Sequence, residues 1–151
     1  MRPLRRRGRI IGRLALFCLI AGGWASRPDP VYAEYNPAKM DLYVDLVLTE
    51  AAGEGLRGQI AVAEVLRNRD WNTRGFCGLR RRNLRSFLRR EAFQRSTARR
   101  AVRIALSGSN LSRGATHYEN ARRFGTPRWA ARMTVTTRIG RHTFYADRGV
   151  G

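Results

Sequence analysis

Two glutamates, Glu50 and Glu54, are the residues whose type and spacing favour acid–base chemistry. They lie on either side of Gly53, at a Gly-rich corner between two amphipathic segments. Cleavage of a glycosidic bond requires a carboxylic acid that stays protonated near neutral pH, and a partly apolar pocket provides one by disfavouring the charged form. Glu50 is therefore our general-acid candidate. Glu54 is a candidate second carboxylate, since many glycosidases pair two. A solvated helix end with two surface glutamates is the alternative interpretation.

Nucleophilic and metal chemistry have less support. A Cys/His pair would have to join Cys77 to His117 or His142, and no neighbouring residue in the sequence activates the thiol. The two histidines occur in TxHY and GRHTF contexts, which do not form a zinc-binding helix motif. We therefore expect no metal and no cofactor.

A polar and aromatic run after Gly114 is suited to sugar contacts. We predict substrate-binding roles in this run for Thr116, His117, Tyr118 and Asn120. Each histidine could equally be a strand residue that is packed or lines a groove.

Helices are predicted to position the glutamates. Apolar residues recur with helical spacing from Met40 to Ala51, so Glu50 lies at the end of a helix. Gly53 and Gly55 are expected to stop that helix. A second helix is predicted to begin around Gln59 and to end at residues 68–72.

The remaining elements are predicted from shorter signals. Residues 79–90 space three apolar side chains among arginines, which favours a solvated helix with a narrow buried seam; a basic rim facing an anionic polymer is the alternative. Residues 91–106 predict a further helix. Residues 115–118 and 139–145 predict two strands that pair as a small sheet.

The N-terminus and the charge suggest export towards a polyanion. Residues 1–33 combine six early arginines with a short apolar run, which is typical of a signal peptide or an N-terminal signal-anchor; residues 34–151 form the predicted domain. The formal net charge is +19, and Lys39 is the only lysine. Nucleic acid, an acidic membrane surface and an anionic cell-wall polymer all fit such a charge.

The ordered set of motifs resembles the SleB/CwlJ-type cell-wall hydrolases (spore cortex-lytic enzymes). The motifs that carry the resemblance are EAAGE at 50–54, GQIAVA at 58–63, NR at 68–69, FCG at 76–78, GATHY at 114–118, Trp129 and IGRHTFY at 139–145. The match spans residues 40 to 146. The sequence departs from the family at Ala52, where relatives often have arginine, and in the Arg-rich segment 79–90.

The resemblance implies a lysozyme-like, mainly helical α+β domain, similar to lytic transglycosylases and resuscitation factors, with a small sheet near the C-terminus. It implies cleavage of peptidoglycan glycan strands at the MurNAc–GlcNAc bond, with Glu50 as acid and then base and a 1,6-anhydro product. Glu54 then becomes a supporting residue, and Trp129 joins the predicted substrate-binding set.

Peptidoglycan is accordingly the expected partner of an exported, periplasmic or cell-wall protein. The N-terminus could contact a membrane, we expect no nucleic acid, and we expect a monomer. The alternative function is a non-catalytic, Arg-rich module that binds a cell-wall polymer or nucleic acid.

Overall fold

Two consecutive helices, α1 (Met40–Ala51) and α2 (Gly55–Asn68), form the centre of the protein. The structure, a computed structural model, describes residues 35–148. One face of α1 is buried, as the periodicity predicts, and every residue of α2 from Gly58 to Leu66 is buried. Burial of this many apolar side chains is the main stabilising term for a domain of this size.

A third long helix, α4 (Arg95–Leu106), packs against both α1 and α2. Its buried positions are mostly alanine: Ala98, Ala101, Val102 and Ala105. Small side chains let helix axes approach closely, so α4 closes the core with little volume of its own. The prediction of a helix over 91–106 is confirmed, although its first turn, Ala92–Gln94, is a separate 3-10 turn.

The corner between α1 and α2 is tighter than predicted. We expected the second helix to begin near Gln59, but α2 begins at Gly55, after one 3-10 turn at Ala52–Glu54. Gly58 therefore lies inside the helix. A Cβ atom at Gly58 would be 2.3 Å from the Cβ of Glu54, so glycine is needed here for the side chain of Glu54 to fit.

The Arg-rich segment forms α3 (Leu84–Arg90), which buries only Phe87. Arg81 and Arg90 lie over the Phe87 ring, 4.0 and 5.2 Å from its centroid. This confirms the solvated helix with a narrow buried seam. The basic rim stays a prediction.

The sheet contains three strands, β1 (His117–Glu119), β2 (Met133–Ile139) and β3 (His142–Asp147), in the order β1-β3-β2 with both pairs antiparallel. The predicted pairing of the GATHY and IGRHTFY regions is confirmed, since Tyr118 lies opposite Phe144. A single strand over 139–145 is wrong. Gly140, with φ +58°, turns the chain there, so residues 139–145 contain the end of β2, the turn and the first part of β3 in a β2–β3 hairpin.

Strand β2 and the short helix α5 (Ala121–Phe124) were not predicted. Most side chains of β2 are polar and only Ile139 is buried, and an irregularity between Val135 and Thr137 breaks the two-residue alternation. A strand with a bulge loses the period by which sequence analysis recognises it.

Polar side chains at the end of α2 fasten the segment that leads into β1. The buried carboxylate of Glu64 accepts hydrogen bonds from the Ser109 hydroxyl at 2.6 Å and from the backbone N–H groups of Leu111 and Ser112 at 2.9 and 2.6 Å. Asn68 donates to the Ala115 carbonyl at 2.9 Å. A buried carboxyl group with three donors is satisfied, and here it fixes the path of the chain towards β1.

The predicted signal segment, residues 1–33, lies outside the described residues. Within residues 35–148, no helix is long and apolar enough to cross a membrane.

Candidate active site

Glu50 lies in the last turn of α1, and both oxygens of its carboxylate accept a hydrogen bond. The backbone N–H of Gly78 donates to Oε1 at 2.6 Å. The hydroxyl of Tyr118 donates to Oε2 at 2.9 Å. The side chain is half-buried. The carboxylate is thus held in one orientation by two groups from distant parts of the chain.

Gly78 reaches Glu50 because it has no side chain. A Cβ atom at this position would lie 2.3 Å from the Oγ1 of Thr49 and 3.0 Å from the Oε1 of Glu50. Thr49 cannot easily move away, since its hydroxyl donates to the Leu46 carbonyl at 2.8 Å. The FCG motif therefore supplies a glycine where a backbone donor must approach α1 closely.

Tyr118 connects the sheet to Glu50. Its ring contacts Phe76, His142 and Phe144, at centroid distances of 6.2, 5.0 and 5.8 Å. Desolvation, and then the charge of Glu50, raises the pKa of Tyr118 well above its usual value. The phenol therefore stays protonated throughout the physiological pH range, so its O–H is able to donate to the Glu50 carboxylate.

His142 is buried behind Tyr118, with its ring edge-on to the phenol. Desolvation lowers the pKa of His142; Glu54 opposes this shift, while Arg141 adds to it. The imidazole is accordingly neutral near pH 7. Its Nδ1 atom is buried and has no hydrogen-bond partner within residues 35–148.

Glu54 is paired rather than free. Its side chain is only 3% exposed, and its two oxygens accept from the Nε of Arg141 at 2.6 Å and from the backbone N–H of Arg141 at 2.8 Å. Desolvation raises the pKa of Glu54, but the hydrogen bonds from Arg141 outweigh it, helped at acidic pH by the charge that His142 carries when protonated, so the pKa lies below its usual value. The ionised carboxylate of Glu54 thus connects the α1–α2 corner to the β2–β3 hairpin. Its supporting role in catalysis stays a prediction.

Two glycines make room for this ion pair. A Cβ atom at Gly140 would lie 1.8 Å from the Oε2 of Glu54, and one at Gly53 would lie 2.1 Å from the Nη2 of Arg141. The side chain of Arg141 therefore passes directly over the backbone of Gly53 to reach Glu54. This explains glycines in both the EAAGE and IGRHTFY motifs.

The predicted substrate-binding residues are divided between the two faces of the sheet. Successive side chains of a strand point to opposite faces, so His117 lies on the face away from Tyr118. There its ring contacts Trp129 at 5.3 Å, and Trp129 in turn contacts Tyr145 at 5.2 Å. Desolvation, with the charge of Arg69, lowers the pKa of His117. The structure brings Tyr118 to Glu50 but does not bring His117 or Trp129 there.

The other two predicted contacts have local partners. The hydroxyl of Thr116 lies 2.9 Å from the Nδ1 of His117. The side chain of Asn120 accepts from the backbone N–H of Arg123 at 3.2 Å and caps α5. N-cap asparagine is common, so the cap explains this residue without a ligand. Substrate contacts by Thr116, His117, Asn120 and Trp129 stay predictions.

Sequence reasoning did not assign roles to Gly78, Gly140, Arg141 and His142 in this site. All four occur in motifs that carried the resemblance, but their partners are far away in the sequence. Among the described residues, no group of three or more His, Cys, Asp and Glu side chains is placed to hold a metal ion.

Residues 53–145 match the family model of the cell wall hydrolases. The chain belongs to this family. The matched region includes Glu54, Tyr118 and Arg141, and Glu50 lies three residues before it. Family membership confirms the resemblance to SleB/CwlJ-type enzymes and the prediction of an enzyme that cleaves the cell wall.

Two solved structures are similar to this cell wall hydrolase. The catalytic domain of the germination-specific lytic transglycosylase SleB from Bacillus anthracis has a TM-score of 0.54 at 24% identity, covering 74% of this chain and 97% of the other. The catalytic domain of the Bacillus cereus SleB protein has a TM-score of 0.57 at 24% identity, covering 82% and 100%. No curated protein matches the chain. The two likenesses establish the fold and confirm the predicted lysozyme-like α+β class.

The space at Gly140 yields a first prediction. Gly140→Ala is expected to destabilise the hydrolase because the added Cβ displaces Glu54 and a side chain is strained at positive φ. Gly114→Ala is the matched control, since Gly114 also has positive φ, +74°, but nothing lies within 4 Å of an added Cβ. We expect Gly140→Ala to lose about 1–3 kcal/mol more than the control in urea unfolding. Equal losses would show that Glu54 does not fill this space.

The ion pair yields a prediction on pH. Since the pKa of folded Glu54 is below its ordinary value of 4.5, the stabilisation is fully present above about pH 4.5 and is lost as pH falls through the lowered value. Glu54→Gln is expected to cost about 1–3 kcal/mol at pH 7. The difference from wild type should shrink in unfolding measurements below pH 4. A difference that does not vary with pH would contradict the ionised pair.

Proposed function

We propose that this enzyme cleaves the glycan strands of peptidoglycan, with Glu50 as the single acid and base. The observation that carries the proposal is the carboxylate of Glu50, oriented by Gly78 and Tyr118 while Glu54 is engaged by Arg141. One carboxylate is available for proton transfer, and the other is committed to an ion pair.

The two donors of Glu50 suit a group that changes its protonation state. A backbone N–H only donates, so the Oε1 facing Gly78 stays an acceptor in both states. A hydroxyl donates or accepts, so Tyr118 can accommodate either a carboxylate or a carboxylic acid at Oε2. We therefore assign the transferred proton to Oε2. Glu50 gives it to the glycosidic oxygen as the bond breaks, and then accepts a proton from the attacking hydroxyl.

The engagement of Glu54 favours the transglycosylase route. An inverting hydrolase needs a second carboxylate to activate water, and a retaining hydrolase needs one as nucleophile. In a lytic transglycosylase the 6-hydroxyl of the sugar attacks the anomeric carbon instead, which gives a 1,6-anhydro end without a second carboxylate. A paired Glu54 fits this last route, at the MurNAc–GlcNAc bond.

The similar solved structures support the same substrate. One is named a germination-specific lytic transglycosylase, and this chain covers nearly all of that catalytic domain. At 24% identity the fold is what the two chains share, so the reaction is carried to this chain as part of the proposal.

The charge supports the same partner and an exported location. Peptidoglycan bears peptide carboxylates, and a chain with a net charge of +19 attracts such a polymer. We propose that the N-terminal segment directs the enzyme to the periplasm or cell wall, either cleaved or retained as a membrane anchor. We further propose that it acts as a monomer.

The assignment of Glu50 predicts the outcome of one substitution. Glu50→Gln is expected to reduce clearing of a peptidoglycan zymogram by about 10²–10⁴-fold, because the amide cannot transfer a proton. Glu91→Gln is the matched control: Glu91 contacts Arg90 and Gln94 at the end of α3 and should leave activity unchanged. Circular dichroism would check that both variants fold. Equal clearing by Glu50→Gln and wild type would overturn the assignment.

The route predicts the product. Mass spectrometry of muropeptides released by the wild-type enzyme should find 1,6-anhydro ends. These ends are lighter than reducing ends by about 18 Da, the mass of the water molecule that internal attack does not add. Reducing ends in their place would support hydrolysis and would leave Glu50 as the acid. Binding to sacculi without any release would favour the non-catalytic polyanion-binding module.

A further inference from the structure

A basic groove lies on the face of the sheet away from Glu50. Its volume is about 750 Å³, and it runs between β3 and the segment that contains α5 and residues 126–131. Its floor includes Thr143 and Tyr145, and its walls include three exposed arginines, Arg122, Arg128 and Arg138. Nothing in the site described above uses these groups.

The polar groups of this groove are available to a ligand. Within residues 35–148, the three wall arginines make no hydrogen bond or ion pair, and the hydroxyls of Thr143 and Tyr145 make no hydrogen bond. Elsewhere the protein pairs arginines with acids, as in the contacts of Arg95 and Arg99 with Asp41. Three unpaired guanidinium groups beside two hydroxyls form a surface suited to carboxylates, which guanidinium groups bind through two parallel hydrogen bonds.

The groove reaches the catalytic side of the sheet at one end. Its lining includes Arg141 and His142. Arg141 binds Glu54, and the ring of His142 packs on Tyr118, which donates to Glu50. Two contacts, between His142 and Tyr118 and between Tyr118 and Glu50, therefore connect this end of the groove to the carboxylate.

We infer that this groove binds the carboxylate-bearing peptide stem of peptidoglycan, an inference that rests on the proposed function. The glycan lies at Glu50, and the peptide branches from it and carries free carboxylates towards the wall arginines. The groove thus selects strands that still carry peptides over bare glycan strands.

The shape and position of the groove favour this occupant over other polyanions. A glycan strand stripped of its peptides keeps only the lactyl carboxylate of each MurNAc, which is attached directly to the sugar. It lacks the carboxylates that the peptide carries away from the glycan, so it would leave the wall arginines without those acceptors. A single-stranded nucleic acid binds largely by stacking its bases on open aromatic faces, whereas the ring of Tyr145 is almost fully buried and packs edge-on to Trp129.

The test compares two substrates and two double variants. Arg128→Gln/Arg138→Gln removes two wall charges. Arg100→Gln/Arg103→Gln removes two charges from exposed positions on α4, where neither arginine has a partner in the described part of the chain. Each protein is assayed on intact peptidoglycan strands and on the same strands stripped of peptides by an amidase. Because both pairs of changes alter the net charge equally, general electrostatic attraction affects both variants alike.

The groove variant is expected to raise the KM for peptide-bearing strands about tenfold and to leave the KM for stripped strands and both kcat values within about twofold. The control should change neither KM by more than about twofold. Equal effects of the two variants, or an equal effect of the groove variant on both substrates, would overturn the peptide-stem site. Wild-type protein that cleaves neither substrate would overturn the proposed function instead.

Binding in an inactive background gives a readout that does not depend on turnover. With Glu50→Gln in every protein, the dissociation constant for a soluble stem tripeptide is measured by calorimetry. The groove substitutions should weaken this binding about tenfold, and the α4 substitutions should not. No binding of the tripeptide to the Glu50→Gln protein would also overturn the site.

Discussion

The ion pair between the buried side chain of Glu54 and the exposed side chain of Arg141 is the contact on which the arrangement of the site depends. It joins the corner of the two core helices to the turn of the β2–β3 hairpin. The carboxylate fits only because Gly58 and Gly140 leave space around it. The Glu54 carboxylate, whose side chain is 3% exposed, would be costly without its partner, so the ion pair holds the hairpin in one position relative to α1. His142 follows Arg141 directly, and its ring then supports Tyr118 against Glu50.

A second anchor fixes Tyr118 from the other direction. The carboxylate of Glu64 and the amide of Asn68 hold the segment between α4 and β1 against α2. Strand β1 therefore leaves α2 at a defined position and pairs with β3, which the ion pair has already placed. Tyr118, the donor to Glu50, is 68 residues away in the sequence. Both sets of contacts that fix its position involve polar side chains of the helical core. A carboxylate and a hydroxyl from distant segments stay within hydrogen-bond distance when both segments are fixed in this way.

The sequence predicts the helical core well because its signals are local. The apolar period over residues 40–51 and the glycines after it place Glu50 at a helix end, and the structure agrees. The contacts that complete the site are not local: Gly78 gives no sign in the sequence that its N–H approaches α1, and Arg141 gives none that it pairs with Glu54. The register of β1 decides whether His117 or Tyr118 faces Glu50, and this register depends on the pairing of β1 with β3. The bulge in β2 removed the alternation that would have revealed the hairpin.

Strand β3 contributes side chains to both faces of the sheet. The positive charge of the protein therefore includes arginines at fixed positions relative to Glu50. His142 and Phe144 lie on the face of the sheet with Tyr118 and Glu50, while Thr143 and Tyr145 face the basic groove. Attraction by the whole arginine-rich surface is screened over roughly 10 Å at 0.1 M salt, so it concentrates the polymer near the protein without orienting it. Orientation requires short-range contacts at fixed positions. The basic groove provides these contacts. Its Thr143 follows His142, whose ring supports Tyr118, so the pleat of β3 fixes the position of a bound group relative to Glu50.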